Sequence, residues 1–194
     1  GSMSESVQVI IRARADTMDP GDVYVLNNPY HGGTHLPDIT IITPVFDDAG
    51  TKVLFYVASR GHHADVGGIT PGSMPPDSTH IDEEGVLIDN VVLVKQGRFL
   101  EREITELLGS GTYPVRNVSQ NIADLKAQIA ANETGVKELL KMVAHFSLEV
   151  VHAYMQHVQD NAEGAVQRLL GVLNDGHFRY EMDDGSAVEV TITV

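Results

Sequence analysis

Residues 21–46 read GDVYVLNNPYHGGTHLPDITIITPVF, and the reading of this stretch decides the fold. Its flanks, residues 23–26 and 39–46, are apolar, rich in β-branched side chains and bounded by turn residues, so both predict strands. The stretch between them, NNPYHGGTHLPD, is too polar and too rich in Gly and Pro for either regular element. It places His31, His35 and Asp38 in one strand-to-strand loop, the position where rigid scaffolds present working groups.

Working outward, residues 53–59 (VLFYVAS) predict a third strand running into residues 60–85, a 26-residue connection. Connections above about 12–15 residues without regular structure are uncommon and usually functional. Residues 91–94 and 98–100 flank Gln96-Gly97 as a hairpin, with a short helix near residues 104–108. Towards the N-terminus, residues 4–15 space Val7, Ile10 and Ile11 as one face of a short helix, with Ser4 available as its cap.

From Ser119, a second available cap, the apolar residues Ile122, Leu125, Ile129, Val136, Leu139, Leu140 and Val143 mark a helical face that continues through residues 146–173. This exceeds ordinary helix length, so a break is expected near Gly135 or residues 161–164. Residues 178–180 and 188–194, around Asp183-Asp184-Gly185-Ser186, predict a final hairpin, and a chain stopping on a strand reads as a piece of something longer.

The expected fold is therefore α+β: a mixed β-sheet with long loops bearing His/Asp clusters, packed against a long helical region and a C-terminal hairpin. Three regions are expected within one compact fragment: strands and loops over 1–116, helix over 117–173 and terminal strands over 174–194.

Composition removes several function classes. With no cysteine there is no disulfide, thiolate metal site or cysteine nucleophile. A formal net charge of -14 repels phosphate backbones and argues against nucleic-acid binding. No apolar run is long enough to span a membrane, and the missing signal sequence favours the cytoplasm.

The nine histidines matter by placement. His31, His35 and Asp38 can converge on one cation because Gly32-Gly33 lets the backbone fold tightly. Imidazole and carboxylate donors suit Zn, Mn, Fe or Ni. His62-His63-Ala64-Asp65 follows the third strand. Neighbours in an extended segment point to opposite sides, so one of His62 and His63 ligates while the other faces substrate or packs. His80-Ile81-Asp82-Glu83-Glu84 adds carboxylates that complete a coordination sphere, orient a ligand or accept a proton, or that simply form a solvated turn.

His145, His152, His157 and His177 stand alone and read as core, surface or capping residues. Arg60 and Arg116 read as anion binders or surface ion-pair partners. Asn121, Asp124, Gln128 and Asn132 share a helix face that is either solvated or a substrate-facing wall. Gly67-Gly68 and Gly72-Ser73 lack the spacing and the lysine of a phosphate loop, and no nucleophile elbow surrounds Ser59 or Ser73.

Three strings taken together, at residues 21–46, 58–86 (ASRGHHADVGGITPGSMPPDSTHIDEEGV) and 117–135 (NVSQNIADLKAQIAANETG), resemble the hydantoinase B/5-oxoprolinase family in this order. Its members include B subunits of ATP-dependent N-methylhydantoinases, the C-terminal part of 5-oxoprolinases, and the large subunits of acetone- and acetophenone-type carboxylases. The resemblance implies a fragment of the B portion of an enzyme that opens a cyclic amide. It implies that ATP is bound by a partner A subunit or domain, and an oligomer in the full-length protein.

By the carboxylase branch it also implies a divalent metal (Mn, Zn or Fe) on His35, Asp38 and one of His62 or His63, with His62 favoured. Asp65, Glu83 and Glu84 become candidates for proton transfer. His63, Arg60, Asn121 and Asp124 become candidates for substrate contact. The alternatives are a carboxylase subunit fragment, and a non-catalytic assembly domain whose histidines are hydrogen-bonded turns.

Overall fold

A computed structural model describes residues 2–194. The chain divides into two units, Gly1–Leu139 and Leu140–Val194. In the first, helix α1 (Ser2–Arg14) precedes strands β1 (Val23–Leu26), β2 (Asp38–Phe46), β3 (Val53–His62), β4 (Val91–Lys95) and β5 (Arg98–Phe99). Helices α2 (Glu101–Leu108) and α3 (Val118–Phe146) follow. The fold is α+β as expected.

The five strands form one sheet in the order β3-β2-β1-β4-β5. Every pairing is antiparallel, where a mixed sheet was expected. A parallel neighbour needs a crossover, usually through an α-helix, and none of the links between these strands contains one. Tight turns join β2 to β3 and β4 to β5, while residues 27–37 link β1 to β2 and residues 63–90 carry the chain from β3 to β4 on the other side of β1. Asp47 closes the β2–β3 turn by accepting the N–H groups of Thr51 and Lys52 at 2.7 and 3.1 Å. Gln96 (φ 49°) and Gly97 (φ 80°) supply the paired positive φ values of a two-residue hairpin between β4 and β5.

Strand β1 is buried on both faces. Val23 and Val25 join Ile39 and Ile41 in the main core with Ile104 and Leu108 of α2 and Ile122 and Leu125 of α3. Tyr24, Leu26 and Ile42 point the other way, onto Ile10 of α1. The sheet thus lies between α1 on one face and α2 and α3 on the other, each helix laying an apolar stripe on it. The buried face of α1 is Val9 and Ile10 with the polar Ser6 beside them, and because the helix already runs from Ser2, Ser4 is not its cap. Asn117 rather than Ser119 caps α3, accepting the Gln120 N–H at 3.3 Å.

Helix α3 also approaches the sheet through amides. Asn132, 2% exposed, donates to the Ile41 and Val57 carbonyls (both 3.2 Å) and to Thr43 Oγ1 (3.1 Å). Gly135 stays helical, and a Cβ there would stand 3.0 Å from Val57 Cγ1, so the helix does not break where its glycine suggested. It ends at Phe146 instead.

In the second unit, Ser147 (φ 75°) turns the chain and its hydroxyl accepts the Val150 N–H, starting α4 (Leu148–Leu170) with Glu149 in the first turn. Strands β6 (Gly176–Glu181) and β7 (Ala187–Ile192) then pair as the expected hairpin. Phe178 opposite Val190 and Tyr180 opposite Val188 share one exposed apolar face, and His177, Arg179 and Glu189 share the other.

Candidate metal centre

Strands β2 and β3 run further than their sequence suggested, and the extension defines the site. β2 begins at Asp38 and β3 ends at His62, and these two residues are cross-strand partners in the last rung of the ladder. His62 Nδ1 lies 2.9 Å from Asp38 Oδ1. His35, in the turn just before β2, brings its Nδ1 to 3.4 Å from Asp38 Oδ2. One carboxylate therefore sits between two imidazoles, whose rings stack with centroids 5.5 Å apart and 26° between planes. One donor atom from each of the three residues lies within 4.8 Å of the others.

The turn that carries His35 is held from several sides. The buried Asn27 side chain donates to the Leu36 and Val86 carbonyls (2.9 and 3.0 Å) and accepts the Ile88 N–H (2.7 Å). Gly32 (φ 86°) lies against α1, where a Cβ would meet Val9 Cγ2 at 2.9 Å. Gly33 lies on the Asn27 and Asn28 carbonyls. His31 stands outside the cluster, paired to Asp89 at 2.8 Å.

These residues fit a divalent cation. Donors about 2.0–2.2 Å from an ion are about 3.0–3.5 Å from one another in octahedral or tetrahedral geometry, close to the 2.9 and 3.4 Å separations here. Two imidazoles and one carboxylate, with positions left open, form a donor set that Fe, Mn and Zn accept. His35 Nδ1 is the nitrogen that faces Asp38, while its Nε2 is buried without a hydrogen-bond partner, at a cost of about 1–3 kcal/mol. Burial works against ionisation of Asp38, but the His62 hydrogen bond and the charges of His35 and His62 outweigh it and hold the carboxyl below its usual range.

His63 points the other way. It is 2% exposed, its Nδ1 lies 3.0 Å from Asn121 Nδ2, and its Nε2 lies 3.0 Å from Gln128 Oε1. Both ring nitrogens are engaged inside the protein.

A profile of the hydantoinase B/oxoprolinase family matches residues 1–194. The chain belongs to this family. The 5-oxoprolinase of Dictyostelium discoideum is 43% identical over 203 residues, covering 100% of this chain but 16% of that protein. The chain thus spans less than a fifth of that relative. Among solved structures, the ATP-dependent caprolactamase of Pseudomonas jessenii matches with a TM-score of 0.82 and 27% identity over 99% of this chain and 34% of that one. An acetone carboxylase shares the fold at a TM-score of 0.75 and 20% identity, over 92% of this chain and 23% of its own.

In this hydantoinase B-type chain the other candidate residues lie apart from the triad. Asp65 receives the backbone N–H groups of Gly67 and Gly72 and the guanidinium of Arg116 at 2.7 Å. Glu83 Oε2 accepts the N–H groups of Thr79 and His80, closing the short turn Ile81–Glu83, and Glu84 accepts from Ser78 Oγ at 3.1 Å. The potential ligand cluster found among the described residues contains neither glutamate.

Arg60 ties β3 to α1, donating to Thr40 Oγ1, Ser2 Oγ and Ser6 Oγ at 2.7–2.9 Å. Asn121 spends its amide on His63 and on the Asp65 carbonyl. Asp124 accepts from Gln120 Nε2 at 2.8 Å. Asn27 is a structural keystone that the sequence did not single out, whereas Gln128 and Asn132, read there as part of a solvated face or a substrate wall, bond to His63 and to strand carbonyls.

The Asp65 cluster carries a pH signature. Burial raises its pKa, but the N–H groups and Arg116 lower it further, so the net shift is downward. A carboxyl with a depressed folded-state pKa stabilises fully above its unfolded value of about 4 and loses that stabilisation as pH falls through the folded value. Asp65→Asn is therefore expected to cost about 1–3 kcal/mol at pH 7, with the difference from wild type shrinking on acidification below about pH 4. Urea denaturation across this range checks it, and a pH-independent difference would contradict the assignment.

Proposed function

We propose that this chain is the metal-bearing part of an ATP-dependent enzyme that opens a cyclic amide, with His35, Asp38 and His62 holding Mn, Zn or Fe. The observation that carries this reading is the convergence of those three side chains on one point. The likeness of the whole chain to 16% of a 5-oxoprolinase, and the family match, support a lactam or hydantoin ring as the substrate class.

A bound divalent ion in such a site would polarise a carbonyl and activate water. The chain's own residues set the conditions. Asp38 stays ionised and gives the site its negative charge. His35 and His62 stack and aim at the same carboxylate. The His62 side chain, 59% exposed, marks the side open to substrate. ATP belongs to an A-type subunit or domain that prepares the ring, a reading supported by the likeness to an ATP-dependent caprolactamase. The complete enzyme is then an assembly of A and B portions, of which this chain is one piece.

The decisive experiment uses the full-length protein with its A partner, Mg-ATP and a panel of 5-oxoproline, hydantoin and caprolactam. ATP-dependent ring opening of at least one is expected. No ring opening of any would overturn the reading. A carboxylase role ranks behind it because the acetone carboxylase likeness supports the fold alone. ATP-dependent fixation of bicarbonate onto a ketone in the same assay would reverse that order.

A further inference from the structure

We propose that Asn121, His63 and Gln128 form a positioning clamp through which α3 fixes the relative aim of Asp38 and His62. The inference rests on the metal reading above and concerns what makes that site accurate. Asp38 and His62 occupy the last rung of the β2–β3 ladder, and β3 is an edge strand with no neighbour on its outer side among the described residues. A terminal rung on an edge strand is where a sheet opens most readily. Something must hold it, because ligand atoms need placement within about 0.2 Å to bind an ion well.

The residues just past that rung are locked. The His63 N–H donates to the Pro37 carbonyl at 2.8 Å, binding the strand end to the residue before Asp38. The ring is then fixed by two amides whose own orientation is forced. Asn121 Nδ2 also donates to the Asp65 carbonyl (2.9 Å), and Gln128 Nε2 donates to the Ile39 carbonyl (3.1 Å). A carbonyl accepts only, so neither amide can be flipped. Asn121 must donate to His63 Nδ1, and Nε2–H must donate to Gln128 Oε1. His63 is thereby held as one neutral tautomer with no free lone pair for a metal.

Gln128 has the widest grip. It bonds to Ile39, the neighbour of Asp38, and to His63, the neighbour of His62. Its amide also lies on Gly61, where a Cβ would stand 3.0 Å from Gln128 Cδ. One side chain thus touches the residue after Asp38 and the residues on both sides of His62. A glycine in this strand has its reason here.

Asn132 provides the control. It makes comparable amide bonds from the same helix to the same strands, but to Ile41, Thr43 and Val57, away from the ligand rung. Titrating Mn2+ or Zn2+ alone into the metal-free 194-residue chain, with urea denaturation in parallel, separates positioning from mere stability. Gln128→Leu is expected to weaken metal binding by about 10–100-fold, the range for groups that orient ligands. Asn132→Leu is expected to lower stability while leaving metal affinity within about threefold.

Gln128→Glu keeps the acceptor for His63 and loses the donor to Ile39, so it should fall between wild type and Gln128→Leu. It also serves if the leucine variant does not fold. Unchanged affinity in a folded Gln128 variant, or an equal loss in Asn132→Leu, would overturn the clamp alone. Absence of metal uptake by the wild-type chain would overturn the clamp and the metal reading together.

Discussion

Asp38→Ala is expected to remove divalent-metal binding from this chain while leaving its fold in place. The carboxylate is the shared neighbour of both imidazoles, 2.9 Å from one and 3.4 Å from the other, and it is the only anionic member of the cluster. Without it, His35 and His62 remain as two imidazole donors at a half-open strand end. Removing a group that merely orients a ligand costs about 10–100-fold in affinity, so removing a ligand should cost at least about 100-fold. Asp38 lies at a strand terminus and its side chain is 27% exposed, so the metal-free fold should tolerate the change. Calorimetric titration with Mn2+ and Zn2+, beside a thermal melt without metal, reads both halves. Affinity within about threefold of wild type would remove Asp38 from the site, and with it the chemistry proposed here.

Gly33→Ala should have the largest effect on stability. A Cβ at this position would stand 2.2 Å from the Asn27 carbonyl oxygen and 2.7 Å from that of Asn28. Both are backbone atoms, and Asn27 is itself pinned by three hydrogen bonds from its buried side chain. No flexible neighbour can give way, so the loop must move. The cost is expected to reach about 3 kcal/mol or more, the upper range for overpacking. Because the loop carries His35, metal affinity should fall as well. Urea denaturation followed by near-ultraviolet circular dichroism measures the first effect and metal titration the second. A loss below about 1 kcal/mol would mean that the loop is not held as described.

Much of this architecture was legible in the sequence, because strands and hairpin turns write local patterns. The strands around residues 23–26, 39–46 and 53–59 and the Gln96-Gly97 turn follow from β-branched runs and positive-φ residues. The grouping of His35 and Asp38 is local too, since only a short turn separates them. The ladder's reach to Asp38 and His62 was less visible. Gly61 looks like a strand breaker until the Gln128 amide is seen lying on it. The amides of Asn121, Gln128 and Asn132 raised the choice between a solvated face and a substrate wall, and the structure gives a third outcome: they satisfy backbone carbonyls and a buried histidine. No local pattern announces a partner 58 or 65 residues away. The helix breaks at Ser147 rather than at a glycine, because a serine with a side-chain cap makes the turn and no glycine or proline marks it in the sequence.

The ligand hairpin and its clamp also differ in when they come into being. Asp38 and His62 are 24 residues apart and meet through one strand pair, which forms in about 1–10 μs once both strands exist. Gln128 follows His63 by 65 residues, about 3–13 s of synthesis at 5–20 residues per second. On a growing chain the two imidazoles and the carboxylate are therefore available for seconds before the helix that steadies them has been made. Under the proposed metal reading, a cation entering during that interval would meet a pliable site, which the arrival of α3 would then fix.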